Sequence, residues 1–99
     1  MEYFKQVNDE LRPLLPRFFD NLDSDLKELQ QALDDDDREE VHRIAHGIKG
    51  SAGSFGLEPL RRQASDVEEA AGESHQELEP PVMELIQLAK SMRRELTNR

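Results

Sequence analysis

Apolar residues recur along most of this chain at spacings of three and four, the signature of amphipathic helices. From Pro13 onward, Leu15, Phe18/Phe19, Leu22, Leu26, Leu29 and Leu33 mark one stripe. Pro13 and Pro16 fit only near the start of that helix, where a missing N–H costs nothing. Asp34-Asp35-Asp36-Asp37 interrupts it. Asp37 can cap a second helix from about Arg38 to Phe55, with Glu40 three residues on completing a capping box. Gly56 ends that helix. Leu57-Glu58-Pro59 opens a third, with Leu57, Leu60, Ala64, Val67 and Ala71 directed to the core. Gly72-Glu73-Ser74-His75 is a loop, and Pro80-Pro81 can open a fourth helix carrying Val82, Leu85, Ala89, Met92 and Leu96. Strand-like alternation is hard to find. The expected fold is all-α, an antiparallel up-down four-helix bundle, with residues 1–12 forming at most a short extra N-terminal helix.

Ninety-nine residues suit one bundle domain, expected over 1–99, and leave no room for a second cofactor-binding domain. The formal charge of −9 argues against nucleic acid and against an anionic membrane surface, both of which need clustered cations. There is no cysteine, so disulfides, thiolate metal sites and cysteine nucleophiles are excluded. No signal-like or membrane-spanning run is present, and the expectation is a cytoplasmic monomer with a well-solvated acidic surface. The aspartate run lacks the spaced ligands and glycine of a calcium loop.

The second helix carries the unusual residues. With His46 set at 0° on a helical wheel, Val41, Ile44, Ala45, Ile48, Ala52 and Phe55 fall between about 160° and 260°. His46 therefore faces solvent. Gly50 falls at about 40°, Gly53 at about 340°, His42 at about 320° and Lys49 at about 300°. Interior glycines at 47, 50 and 53 cost about 3 kcal/mol together relative to alanine. On a face turned away from the core, they read as cleared ground that lets a bulky partner reach the imidazole. An exposed imidazole offers a nucleophilic nitrogen at neutral pH and can hold a phosphoryl group as a phosphoramidate. Lys49, one turn on, can approach phosphoryl oxygens. No carboxylate lies near His46 on its own helix, so no acid–base relay is expected.

The segment Ala45-His46-Gly47-Ile48-Lys49-Gly50-Ser51-Ala52, with Gly56-Leu57 after it, resembles the signature of the histidine phosphotransfer (HPt) family. Ile48 stands where the family has leucine. Leu60, Ala64 and the pair Val67-Glu68 resemble its downstream positions, and the likeness extends over about residues 10–97. It implies a phosphorelay intermediate: His46 accepts a phosphoryl group from a receiver-domain aspartate and passes it to another receiver. It implies a carrier without kinase activity of its own, and partners among response-regulator receivers and a hybrid sensor kinase. The chain itself is expected to bind no cofactor or metal, the Mg²⁺ belonging to the receiver. By the same resemblance His42, Arg43, Gly50 and Gly53 form the docking surface.

Three other readings compete. His42 and His46 have the i, i+4 spacing of a metal pair, but no third ligand is near on that helix and Lys49 would repel a cation. A bundle that docks receivers without carrying phosphate would keep binding after His46→Ala. A sensor-kinase dimerisation helix usually has an acidic residue directly after its histidine, where this chain has Gly47. His75 is assigned no role.

Overall fold

The structure is a computed structural model that describes residues 3–97. A leading 3-10 helix, Asp9–Leu14, runs into α1, Leu15–Asp34; then follow α2, Arg38–Ser54, α3, Glu58–Gly72, and α4, Glu79–Thr97. No strand occurs among the described residues. Helices adjacent in sequence pack together, and α1 closes the ring against α4. This is the four-helix bundle expected from the apolar spacing, drawn out to 40 × 20 × 18 Å.

The apolar stripes become one continuous core. Leu15, Phe19, Leu29, Val41, Ile48, Leu57, Leu60, Val67, Leu85 and Met92 are wholly or almost wholly buried, and no polar or charged residue joins them among the described residues. Leu33, Phe55 and Leu96 lie at its margin. A dry apolar interior leaves no enclosed chamber for catalysis. Any chemistry belongs to the surface.

Both tight turns are closed by the same device. At the end of α1, Asp37 N–H donates to the Ala32 carbonyl and Asp36 N–H to Leu33. After α2, Leu57 N–H donates to Ala52 and Gly56 N–H to Gly53. These paired bonds are Schellman motifs, which require a left-handed residue in the middle. Gly56 takes that place with φ +73°, and its Cα lies so near the Gln6 carbonyl that a Cβ would sit 3.1 Å from the oxygen. Asp36 adopts φ 55° in the first turn, without glycine's freedom. The acidic run thus has a defined geometry: Asp34 ends α1, Asp36 makes the turn, and Asp37 caps α2 by accepting from Glu40 N–H at 3.2 Å.

The reciprocal half of the expected capping box does not form. Glu40 turns away from the helix start and takes both bonds of the Arg43 guanidinium, at 2.5 and 3.0 Å. An ionic, two-point partner one turn along outcompetes a single backbone N–H. Arg38, at the start of α2, ties this end of the bundle to the α3–α4 connection. Its Nη2 donates to the carbonyls of Ala70, Glu73 and Gln76, which satisfies the end of α3 and fixes the loop leading to α4.

The leading segment is more structured than its weak pattern suggests. Phe4 and Val7 are buried. Phe4 meets Phe19 edge-on, with ring centroids 5.9 Å apart. Pro13 lies in the 3-10 turn and Pro16 in the first turn of α1, so neither removes a needed hydrogen bond.

Candidate functional site

Helix α2 buries Val41, Ile44, Ala45, Ile48 and Ala52. This anchored stripe turns His46 outward, and its side chain is 67% exposed, as the wheel requires. On the ground around it, a Cβ added at Gly47 or Gly50 would meet nothing within 4 Å. Alanine would fit at either position, so packing within the bundle does not demand glycine there.

Gly53 differs. A Cβ there would lie 3.5 Å from Cδ of Arg61, whose stem crosses from α3. The expectation of cleared ground on this face fails on the Gly53 side. The short connection 55–57 folds α3 closely back along α2, and its long side chains reach over.

The same packing brings in the residue that the single-helix wheel missed. Glu68 of α3 places Oε2 2.6 Å from Nδ1 of His46 and Oε1 2.7 Å from Nζ of Lys49. His42 presents Nε2 3.8 Å from the same Oε2. A carboxylate does therefore stand beside His46, contributed by the neighbouring helix. Its side chain is only 14% exposed, against 67% for the imidazole it holds.

The electrostatics fix the proton. The hydrogen bond from Lys49 foremost, and that from His46 after it, hold the Glu68 carboxyl below the usual carboxylate range, against the opposing effect of burial. An ionised carboxylate only accepts hydrogen bonds, so Nδ1 of His46 carries the proton and donates it. In the neutral ring the lone pair then resides on Nε2, the nitrogen that points away from Glu68. The arrangement presents a nucleophile with a chosen atom, on open ground, with an ammonium one turn away.

The remaining expected site residues are placed as follows. Lys49 is on the right face but is engaged with Glu68 rather than free. Arg43 is exposed and bound to Glu40. His42 is half-exposed at the edge of the Glu68 cluster. His75 lies in the α3–α4 loop, well away in sequence, with Glu73 as its neighbour. Among the described residues no group of three or more histidine, aspartate or glutamate side chains is arranged to hold a metal ion. The pairing of His42 and His46 is toward a common carboxylate. No described helix is long and apolar enough to cross a membrane.

On the other flank of α2, beyond Gly47 and Ser51, an apolar groove of about 340 Å³ separates it from α1. Leu14, Phe18, Leu22, Ile48 and Phe55 line it, with Arg17 and Asp25 at the rim. Leu14 is 50% exposed, one of two large apolar side chains in the open among the described residues. Burial, and then the neighbouring Glu28, raises the Asp25 carboxyl above its ordinary value, with Arg43 acting in the opposite sense.

No curated protein and no solved structure matches the chain. The family model described as the Hpt domain matches residues 13–97, from the leading proline to the end of α4. A four-helix bundle, an outward histidine on α2 and a match over nearly the whole chain agree, and the chain belongs to the Hpt domain family, whose role is histidine phosphotransfer in two-component phosphorelays.

Proposed function

We propose that His46 is the phosphorylated residue, that it accepts its phosphoryl group from the aspartyl phosphate of one receiver domain, and that it hands the group to the aspartate of another. The observation that carries this reading is an exposed imidazole whose Nδ1 is bound to Glu68, on a helix whose neighbouring positions Gly47 and Gly50 have open space where a Cβ would stand. Transfer between an imidazole nitrogen and a carboxylate is an in-line displacement, so positioning and charge compensation dominate over acid–base help. Lys49 supplies positive charge within a turn of the phosphoryl group. The receiver supplies its own divalent cation, and the chain acts as a carrier with no kinase activity of its own.

A receiver centred on His46 crosses Gly47 and Gly50 and reaches the groove between α1 and α2. The exposed Leu14 and the groove-lining Phe18 and Phe55 offer apolar area to a docking helix, while His42 and Arg43 give a polar margin. A hybrid sensor kinase bearing a receiver is the expected upstream source.

The test is direct. A panel of receiver domains is charged with acetyl phosphate and Mg²⁺, mixed with the chain, and the chain is examined for acid-labile, base-stable phosphate. The expected outcome is label on the wild type and none on His46→Gln. Label that persists in the variant refutes the assignment. Receiver binding without any label on the wild type would instead identify a docking adaptor.

A further inference from the structure

The groove between α1 and α2 carries charge of opposite sign at its two ends, and little of that charge is matched within the chain. Arg17 stands at the end lined by Leu14 and Phe55. Asp25 stands at the other, where the groove runs on into a notch of about 120 Å³ completed by Glu28, Arg43, Ile44 and Gly47. Resting on the phosphotransfer reading above, we infer that this groove selects among receivers by polarity. It takes a helix that brings an acidic side chain to Arg17, a basic side chain to Asp25 and Glu28, and an apolar face between them.

Elsewhere on the bundle, surface charges find partners. Glu40 holds Arg43, Glu58 holds Arg61, and Arg93 reaches Asp20. Every other arginine among the described residues bonds a carboxylate, a carbonyl or a hydroxyl, whereas Arg17 bonds none. Asp25 and Glu28 likewise have no hydrogen bond or ion pair among the described residues. Arg43 lines the same notch, but its guanidinium is held by Glu40. Burial first, and Glu28 next, raise the Asp25 carboxyl, with Arg43 acting in the opposite sense. The carboxylate pair is thus under-neutralised in the free chain, and a cation entering the notch meets it in a partly shielded place.

The spacing defines the partner's helix. Asp25 and Glu28 lie about 12 and 16 Å beyond Arg17 along the axis of α1. A helix laid in the groove spans this with acidic and basic residues about two to three turns apart. Between them its apolar side chains meet Leu14, Phe18, Leu22 and Ile48. The notch reaches Gly47, next to His46, so the basic end of the partner lies nearest the imidazole. A receiver of reversed polarity sets like charges together at both ends, which suppresses the wrong partner while the right one is attracted. Apolar contact supplies affinity and carries no sign; the three charged side chains supply the choice. A second copy of this chain is a poorer occupant, because two chains of formal charge −9 repel.

The test uses the receiver of the panel that labels the chain fastest. Rate constants for transfer to His46, taken below saturation, are measured for the wild type, Arg17→Glu, Glu28→Lys and the doubly reversed Arg17→Glu/Glu28→Lys. Each single reversal is expected to slow transfer by about tenfold at low ionic strength, and the losses are expected to shrink as salt is raised. The double reversal is expected to lose more. Exposed basic residues on that receiver's helices are then changed singly to glutamate. One such change is expected to slow transfer to the wild type and to restore transfer to Glu28→Lys, a recovery that a loosened bundle cannot produce. Leu14→Ser is expected to slow transfer from every active receiver alike. Rates within about twofold of the wild type in both single reversals, a loss that salt does not touch, or no rescuing change on the receiver overturns this inference and leaves the phosphotransfer reading standing. So does a dimer in solution that Arg17→Glu dissociates, which assigns the groove to a second copy. A wild type that no receiver labels overturns the phosphotransfer reading and this inference with it.

Discussion

Gly50 sits inside a helix, on its solvent side, with nothing within 4 Å of where its Cβ would be. Intrinsic propensity alone makes it a poor choice, since alanine is better by roughly 0.8–1 kcal/mol in a helix interior. No packing constraint in the bundle offsets that cost. Gly50→Ala should therefore raise the stability of the free chain by up to about 1 kcal/mol, read from its urea midpoint. A methyl group is small enough to leave transfer from a receiver nearly unchanged. Gly50→Gln, also a good helix former, should fold at least as well as the wild type yet lose receiver-to-His46 transfer by tenfold or more, because its side chain rises beside the imidazole. If Gly50→Ala instead destabilises the chain, the cleared-ground explanation fails and glycine serves the fold.

At the scale of paired helices, the Glu68–Lys49 contact joins α3 to α2 and makes a pH-dependent contribution to their association. The Glu68 carboxyl is lowered in the folded chain, foremost by its bond to Lys49 and next by that to His46. A lowered carboxyl binds fewer protons in the folded state than in the unfolded one. Its stabilisation is thus fully present above the unfolded carboxyl value of about 4.3 and disappears as pH falls through the folded value. Glu68→Gln should be less stable than the wild type at pH 7, and the gap between the two unfolding midpoints should narrow as pH falls below the ordinary carboxylate range. Asp25 contributes with the opposite sign, because burial raises it; comparing wild type with Glu68→Gln at each pH cancels that background. This pair also marks the limit of single-helix reasoning. The wheel placed His46 outward from the positions of Val41, Ile44, Ala45, Ile48 and Ala52, because burial of a stripe is a property of one helix. Glu68 belongs to a relation between two helices. Yet a signal existed: His46 and Glu68 lie equally far from Leu57 in sequence, and so do Gly53 and Arg61, which also meet. In a tight antiparallel hairpin such residues stand side by side. Reflecting α2 through the turn at Gly56-Leu57 would have brought both partners into view. The capping box failed for a related reason, since Glu40 had a second, stronger suitor in Arg43 that the motif alone does not register.

Taken as a whole molecule, the chain closes one end of its bundle with a segment that precedes the span matched by the family model. Tyr3 N–H donates to Glu95 of α4 at 2.8 Å, and Arg12 donates to the Phe4 carbonyl at 2.9 Å, so the start of the segment is tied both to α4 and to the 3-10 helix that follows it. Phe4 is fully buried on Phe19, and Phe19 in turn meets Phe18, whose ring lies tilted 4.7 Å from that of Phe55 at the end of α2. The Gln6 carbonyl approaches Gly56 at the turn after α2. Sequence pattern gave little hint of this, because two apolar residues three apart are too few to define a period. The aromatic chain links the leading segment to the floor of the groove beside α2. Phe4→Ala should cost about 3–5 kcal/mol, the usual range for deleting a fully buried phenylalanine, because the emptied space lies between a fixed strap and the helices. Chemical denaturation measures that loss directly. His46 stands more than two helical turns before Phe55 on α2, so the Nδ1 proton and its bond to Glu68 should survive the substitution under conditions where the variant remains folded. A Phe4→Ala chain with wild-type stability would show that the strap is an ornament on a bundle already complete from residue 13 onward.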